Sequence, residues 1–468
     1  MKAISRFLAI GVLLVLTAGL PVWAAGEGGL TSDAIAEFRT AFHPDIRGRA
    51  VYNAVTNNDI NNLALNRDVL NCHNDHFNFK IDVGGITDQK SSGRCWLFAS
   101  LNALRPIVMK KHNLKDFEFS QNYLAFWDKL EKANSFLEYV IEFRDRDVQD
   151  RELQLLLEHP FGDGGYWSYV TALIDKYGAM PKEIMPETNS SGKTGTMNRV
   201  ISNKLRQGAA TLRAMHTDGK SIAELRTAKE RILGEIYGML VMNLGQPPTD
   251  FVWRYESKDS SISEKKAYTP RGFYKEFVAI DLSEYVTIFN NPLKPYGEHY
   301  SCALSRDMYD AEDFHYVNME MSVLKELALK ALLDSQVVVF SCDVGKDQVR
   351  GKGIMAANIY DYGSLFGCNL EMSKEDRARY FESSSDHMMA LIGVDTVDGK
   401  PVKWLVENSW GDDDGAKGYF TMYDDWFDMY VFDVVIHRQY VPEKILKIFD
   451  REPEVIPAWD PMSRLLRK

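Results

Sequence analysis

Gln89 and Cys95 stand six positions apart in the segment Gln89-Lys-Ser-Ser-Gly-Arg-Cys95-Trp96-Leu-Phe-Ala-Ser100. That spacing suits thiol chemistry. The apolar helical run behind Cys95 sets the cysteine at a helix start, where unpaired N–H groups and the macrodipole favour a thiolate. Gln89 is placed to turn its amide toward an oxyanion beside the sulfur. A nucleophilic cysteine needs a base, and the base needs a group to orient it. Asp386-His387 heads an apolar run that reads as a buried strand over 389–394. Asn408 ends another, Trp404-Leu-Val-Glu-Asn408-Ser-Trp410-Gly411, and can accept from the His387 ring. Trp410 would cover that bond and exclude water, which strengthens it. Cys95, His387, Asn408 and Gln89 are thus the candidate catalytic residues, with Trp410 and Trp96 supporting them.

Other residue groups carry weaker signals. Gly164 and Gly165 are either ordinary loop glycines or bare backbone on which an extended peptide pairs. Cys72-His73 and His76 hint at metal ligands, but no second ligand cluster follows at a recognisable spacing, so no metal is expected. Ser191-Gly-Lys-Thr194 looks like part of a phosphate loop, yet Glu187 stands where the first glycine must be. The charge run over 144–152 reads as a solvated helix face.

The chain has 468 residues, 45% hydrophobic and 26% charged, with net charge −11, a globular composition with room for a large core. Residues 1–24 read as a secretory signal: Lys2 and Arg6 precede an apolar run shorter than the ~20 residues needed to span a bilayer. A secreted or periplasmic location and no stable membrane anchor after its removal are expected. Loss of Lys2 and Arg6 moves the net charge from −11 to −13. That acidity argues against nucleic acid as the main partner. Five cysteines are too few for a disulfide scaffold, and an odd number leaves at least one thiol free; that one is assigned to Cys95.

These groups must be held by two unlike halves. Thr31 caps an amphipathic helix, and the Asn- and Asp-rich residues 50–80 read as an irregular arm. Residues 95–112 are helical, interrupted by Pro106, and 121–244 are helical in period. Short β-branched or aromatic runs follow at 277–282, 336–342, 389–394, 404–407, 418–422 and 431–437, with a helix over 321–333. The expected fold class is α+β. Its parts are a signal over 1–24, an N-terminal arm over 25–94, a helical lobe over 95–250, a β-rich lobe over 251–443 and a tail over 444–468.

The segments around Gln89–Cys95, Asp386-His387 and Asn408-Ser-Trp410 resemble those of papain-like cysteine peptidases, and within them the bleomycin hydrolase and aminopeptidase C family. The likeness extends to Asn53-Ala-Val-Thr, Asp163-Gly-Gly165, Cys342-Asp-Val-Gly-Lys346 and Ala458-Trp-Asp-Pro-Met462. Cys95 and His387 lie 292 positions apart, against roughly 130–150 in an ordinary papain-type chain, so large helical insertions are expected. Ser92 stands where the usual papain signature has a cysteine, and Arg94 replaces a small residue.

The resemblance implies a two-lobed fold and a cysteine aminopeptidase that acts on peptides through a thiolate–imidazolium pair and an acyl-enzyme, without a cofactor. It also implies a homohexamer, and a C-terminal tail lying in the active-site cleft with its carboxylate holding the substrate's ammonium. The ending Ser-Arg-Leu-Leu-Arg-Lys468 departs from that pattern, since Arg467 and Lys468 would repel an ammonium. An endopeptidase or dipeptidyl-type cysteine peptidase is therefore the alternative, and a non-catalytic binding protein with a relic site a further one.

Overall fold

A computed structural model describes residues 28–463; the expected signal and the last five tail residues, Lys468 included, lie outside them. The chain forms two compact units that divide after Ala64. In the first, Thr31 caps the helix Ser32–Ala41 through Ala34 N–H (3.1 Å), and Asp45 caps Ile46–Asn57 through Gly48 N–H. The expected irregular arm over 50–80 is largely helical, with Ile60–Ala64 and, in the second unit, Arg67–Cys72. Its Asn and Asp residues act mainly as caps: Asn66 accepts from Asp68 N–H (3.0 Å) and Asn58 donates to the Ala54 carbonyl. Side chains that compete for backbone groups in a loop also satisfy the orphan groups of helix ends.

The second unit packs helices on both faces of a mainly antiparallel sheet. The helix Cys95–His112 is buried at every position from Cys95 to Arg105. A helix apolar all round in this way belongs between layers, and it packs on the strand His387–Val397. It runs through Pro106 and ends at Asn113 in the left-handed conformation, φ 49°. One lost backbone bond does not end a helix fixed by its surroundings. Gln121–Glu142, Trp167–Tyr177, Gly195–Thr217 and Ile222–Leu244 complete the helical layer.

His387–Val397 lies between Val338–Cys342 and Lys400–Glu407, antiparallel to both, with His387 opposite Cys342 and Ala390 opposite Glu407. Val431–His437 and Tyr285–Phe289 extend the sheet on one side, Tyr419–Tyr423 on the other. The helix Met321–Leu333 buries Leu324, Leu327, Ala328, Ala331 and Leu332 with this sheet's core, the one-sided spacing of an amphipathic helix.

The strand expected over 277–282 does not form. Tyr274–Val278 is a π-helical turn that ends at Ala279, φ 51°, and Leu282–Glu284 is a 3₁₀ turn. Phe277 stacks on Phe273 and meets Trp253 edge to face. Those contacts, not the β-branched pattern, set the local conformation. Phe251, Trp253 and Phe277 all join the helical core, although the sequence pattern assigns them to the β-rich part.

Candidate active site

Cys95 opens its helix and Met388, the residue after His387, brings the opposing strand to it: the N–H groups of Met388 and Trp96 both point at the Cys95 sulfur. The His387 ring bonds Asn408 Oδ1 through Nε2 at 2.8 Å. Asn408 Oδ1 also accepts from Ser409 N–H at 2.8 Å, which fixes the oxygen toward the imidazole. Trp410 lies against the ring, centroids 4.9 Å apart.

Burial pushes the Cys95 thiol up to about 11, against the pull of the Met388 and Trp96 N–H groups. It takes the His387 imidazole down to about 4; the Asn408 bond favours the ring's proton and Arg350 opposes it. Each group alone is therefore neutral at pH 7, which opposes the thiolate–imidazolium pair expected from sequence. Charge separation is favourable here only within the pair, where the proton passes from sulfur to ring and each new charge offsets the burial cost of the other.

Gln89 is buried and held at both ends of its amide. Its Oε1 accepts from Ser409 Oγ at 2.6 Å, and its Nε2 donates to the Ser92 carbonyl at 2.5 Å. Its backbone N–H reaches the Ser409 carbonyl at 2.8 Å. The second Nε2 hydrogen is left to aim at an oxyanion beside Cys95. Ser409, adjacent to Asn408, thus fixes the glutamine and was not singled out by sequence.

The loop before Cys95 is anchored by charge where papain-type chains use a cysteine. Arg94 donates to both Glu187 oxygens at 3.0 and 2.7 Å, and its Nε donates to Ser92 Oγ at 3.1 Å. Ser191 Oγ donates to the same carboxylate at 2.5 Å, so the segment Ser191-Gly-Lys-Thr194 serves as a strap on the nucleophile loop. Asp163 accepts from Gly93 N–H at 2.9 Å, from Asn198 at 2.7 Å, from Thr194 and from Lys129. Burial works to raise its pKa, but Lys129 and the other donors hold the carboxyl well below the usual range.

The Asp163 carbonyl receives Trp96 Nε1–H at 2.7 Å. Asp163 thereby joins the Cys95 loop to Gly164 and Gly165. A Cβ on Gly165 would sit 2.6 Å from the Trp96 ring, so that position closes down on the indole. The Gly164 carbonyl accepts from Lys132 Nζ at 2.6 Å. Farther along the chain, Met462 lies in the apolar cluster against which Tyr166, next to Gly165, is packed.

The structure brings Cys95, Gln89, His387, Asn408, Trp410 and Trp96 into one site, with Gly165 against Trp96. All five cysteines are free, and no group of residues suited to holding a metal ion occurs among the described residues. The contacts of Asp163, of Ser409, of Arg94 with Glu187, and of Arg350 emerge only from the fold.

Residues 29–463 match the Peptidase C1-like family. The chain is 38% identical to aminopeptidase C of Streptococcus thermophilus, over 94% of this chain and 99% of the relative. It is 36% identical to bleomycin hydrolase of Gallus gallus, with the same shares covered. The crystal structure of PepW from Lactobacillus rhamnosis superposes with TM-score 0.90 at 40% identity, covering 92% of this chain and 98% of that one. With family, fold and site in agreement, the chain belongs to the Peptidase C1-like family.

Proposed function

We propose that this chain is a cysteine aminopeptidase that removes N-terminal residues from peptides. Cys95 attacks the scissile carbonyl as its proton passes to His387. The Gln89 amide and the Cys95 N–H hold the oxyanion. His387 then protonates the departing amine and activates the water that releases the acyl group, while Asn408 keeps the imidazole in register. The observation that carries this reading is the Met388 N–H on the Cys95 sulfur, beside a His387 ring bonded to Asn408. The aminopeptidase C of Streptococcus thermophilus aligns over 99% of its own length, which favours exopeptidase over endopeptidase action.

The same reading includes a signal over residues 1–24, and hence a secreted or periplasmic enzyme; the family match begins at residue 29. It also includes a homohexamer. Gly164 and Gly165 hold the acyl-side peptide, and the tail over 444–468 runs to the cleft, supported by the packing of Met462.

Aminoacyl and N-blocked aminoacyl coumarin amides distinguish the two cleavage modes. The aminopeptidase reading expects turnover of the free amine alone, lost in Cys95→Ala along with labelling by a thiol epoxide. Preference for the blocked substrate would establish an endopeptidase, and absence of labelling in the wild type a non-catalytic protein. Native and intact mass spectrometry test the hexamer and the cut after residue 24.

A further inference from the structure

Trp410 touches more than the imidazole. The Arg350 guanidinium lies 4.2 Å from the centre of the indole. Arg350 is itself tethered twice: Nε and Nη2 donate to the two Asp414 oxygens at 2.9 and 2.6 Å, and its carbonyl accepts from Gly415 N–H at 3.1 Å. On the other side of the chain the indole is fixed through its backbone, which bridges to Asp88, and Gly411 N–H donates to the Thr87 carbonyl. Asp414, Arg350, Trp410, His387 and Asn408 therefore form one continuous chain of contacts that ends on the proposed base.

We propose that Arg350 is a positioning residue for His387, one that, anchored by Asp414, clamps the Trp410 indole over the imidazole–Asn408 bond. The inference rests on the assignment of Cys95 and His387 as nucleophile and base. An indole held on both sides keeps water from the His387–Asn408 bond, which would otherwise weaken and let the ring turn. The clamp also brings a fixed positive charge near the base. The ionisable groups around the ring are Cys95 from the helix, Cys342 from the neighbouring strand, Asp386 beside it, and Arg350. Arg350 alone among these is a cation, and it disfavours a proton on the imidazole.

The test uses the full chain with Arg350→Leu, Arg350→Lys and Asp414→Asn. Two pH profiles are read: kcat/KM on an aminoacyl coumarin amide, and the rate of Cys95 alkylation by iodoacetamide. In Arg350→Leu, kcat/KM should fall about tenfold as the ring loses its orientation. The acid limb of both profiles should move up by about half a pH unit, because a charge that opposes the imidazolium is gone. Arg350→Lys and Asp414→Asn keep that charge and loosen the clamp, so kcat/KM should fall with the limb unmoved. An Arg350→Leu enzyme within twofold of the wild type with an unmoved limb overturns the inference. So does a limb that moves equally in the leucine and lysine variants. A wild-type protein that neither turns over substrate nor alkylates defeats the assignment of the site itself, a result separate from either.

Discussion

Arg105 Nη2 donates to Glu407 Oε1 at 2.7 Å, which ties the helix that starts at Cys95 to the strand that leads into Asn408. Asn102 adds a bond to the same oxygen at 3.1 Å and a second to Thr87 Oγ1 at 2.8 Å. The nucleophile and the residue that orients its base sit at the ends of two elements cross-linked in their buried stretches. Sliding of either element would separate sulfur from imidazole, so this pair sets the register of the site without touching substrate.

Glu407→Gln tests that cross-link and has a defined pH signature. Burial lifts the Glu407 carboxyl up to about 7 from its ordinary 4.5, against the pull of Arg105. The folded state thus binds the proton more tightly than the unfolded state. Its contribution to stability is complete below pH 4.5 and is lost as the pH rises through about 7. That loss amounts to about 3 kcal/mol. Glutamine keeps the acceptor for Arg105 and does not titrate. The stability of the wild type relative to Glu407→Gln, from urea unfolding, should fall by about that amount between pH 4.5 and 8. A difference independent of pH would mean the carboxyl is ionised throughout.

Gln89→Ala should lower kcat by about 100- to 1000-fold, the usual cost of losing one oxyanion donor. Its effect on Cys95 alkylation should be small, because iodoacetamide reacts without forming a tetrahedral oxyanion. Ser409 Oγ loses its acceptor in this variant, at a cost of about 1–3 kcal/mol in stability. Measuring alkylation and turnover on the same preparation separates the two effects. A loss in kcat below tenfold would place the oxyanion elsewhere.

Gly165→Ala should damage catalysis from the acyl side. The added methyl meets Trp96 at 2.6 Å and Tyr169 at 2.8 Å, and both rings are buried. Overpacking of that kind costs about 1–3 kcal/mol. Trp96 follows Cys95 directly, so kcat/KM should fall at least tenfold on peptide substrates, by roughly the factor those energies represent. Unchanged kcat/KM would show that the segment yields without moving the indole.

The chemistry was legible because its parts lie within short, distinctive segments. Gln89 and Cys95 share one loop, His387 begins a strand, and Asn408 with Trp410 ends the next. What supports them was not legible, because it is assembled from distant positions by the fold. Lys129 meets Asp163, Arg94 meets Glu187, and Arg350 meets Trp410. Each of these charged residues reads alone as a solvated side chain. The stretch over 50–80 misled through composition, since asparagine that marks loops also caps helices. The run over 277–282 misled because Phe277 answers to an aromatic cluster rather than to a pleat.

Removal of residues 463–468 tests what the tail does. Met462 is buried among Tyr300, Tyr316 and Phe432, in the cluster against which Tyr166 packs. Tyr166 follows Gly165, on the acyl side of the proposed site. A tail that occupies this side would block longer peptides from extending past their first residue. It would also supply the terminal carboxylate that selects a free ammonium. The truncated protein should therefore cleave N-blocked and internal peptide bonds that the full chain leaves intact. The KM for free-amine substrates should rise, while the alkylation rate of Cys95 stays within a few-fold of the wild type. Arg467 and Lys468 set a further arm. Replacing both with alanine removes two cations that oppose the substrate's ammonium, so KM should fall if they lie in the cleft. An unchanged cleavage pattern after truncation, read by mass spectrometry of peptide products, would leave the preference for N-terminal residues to groups within the lobes.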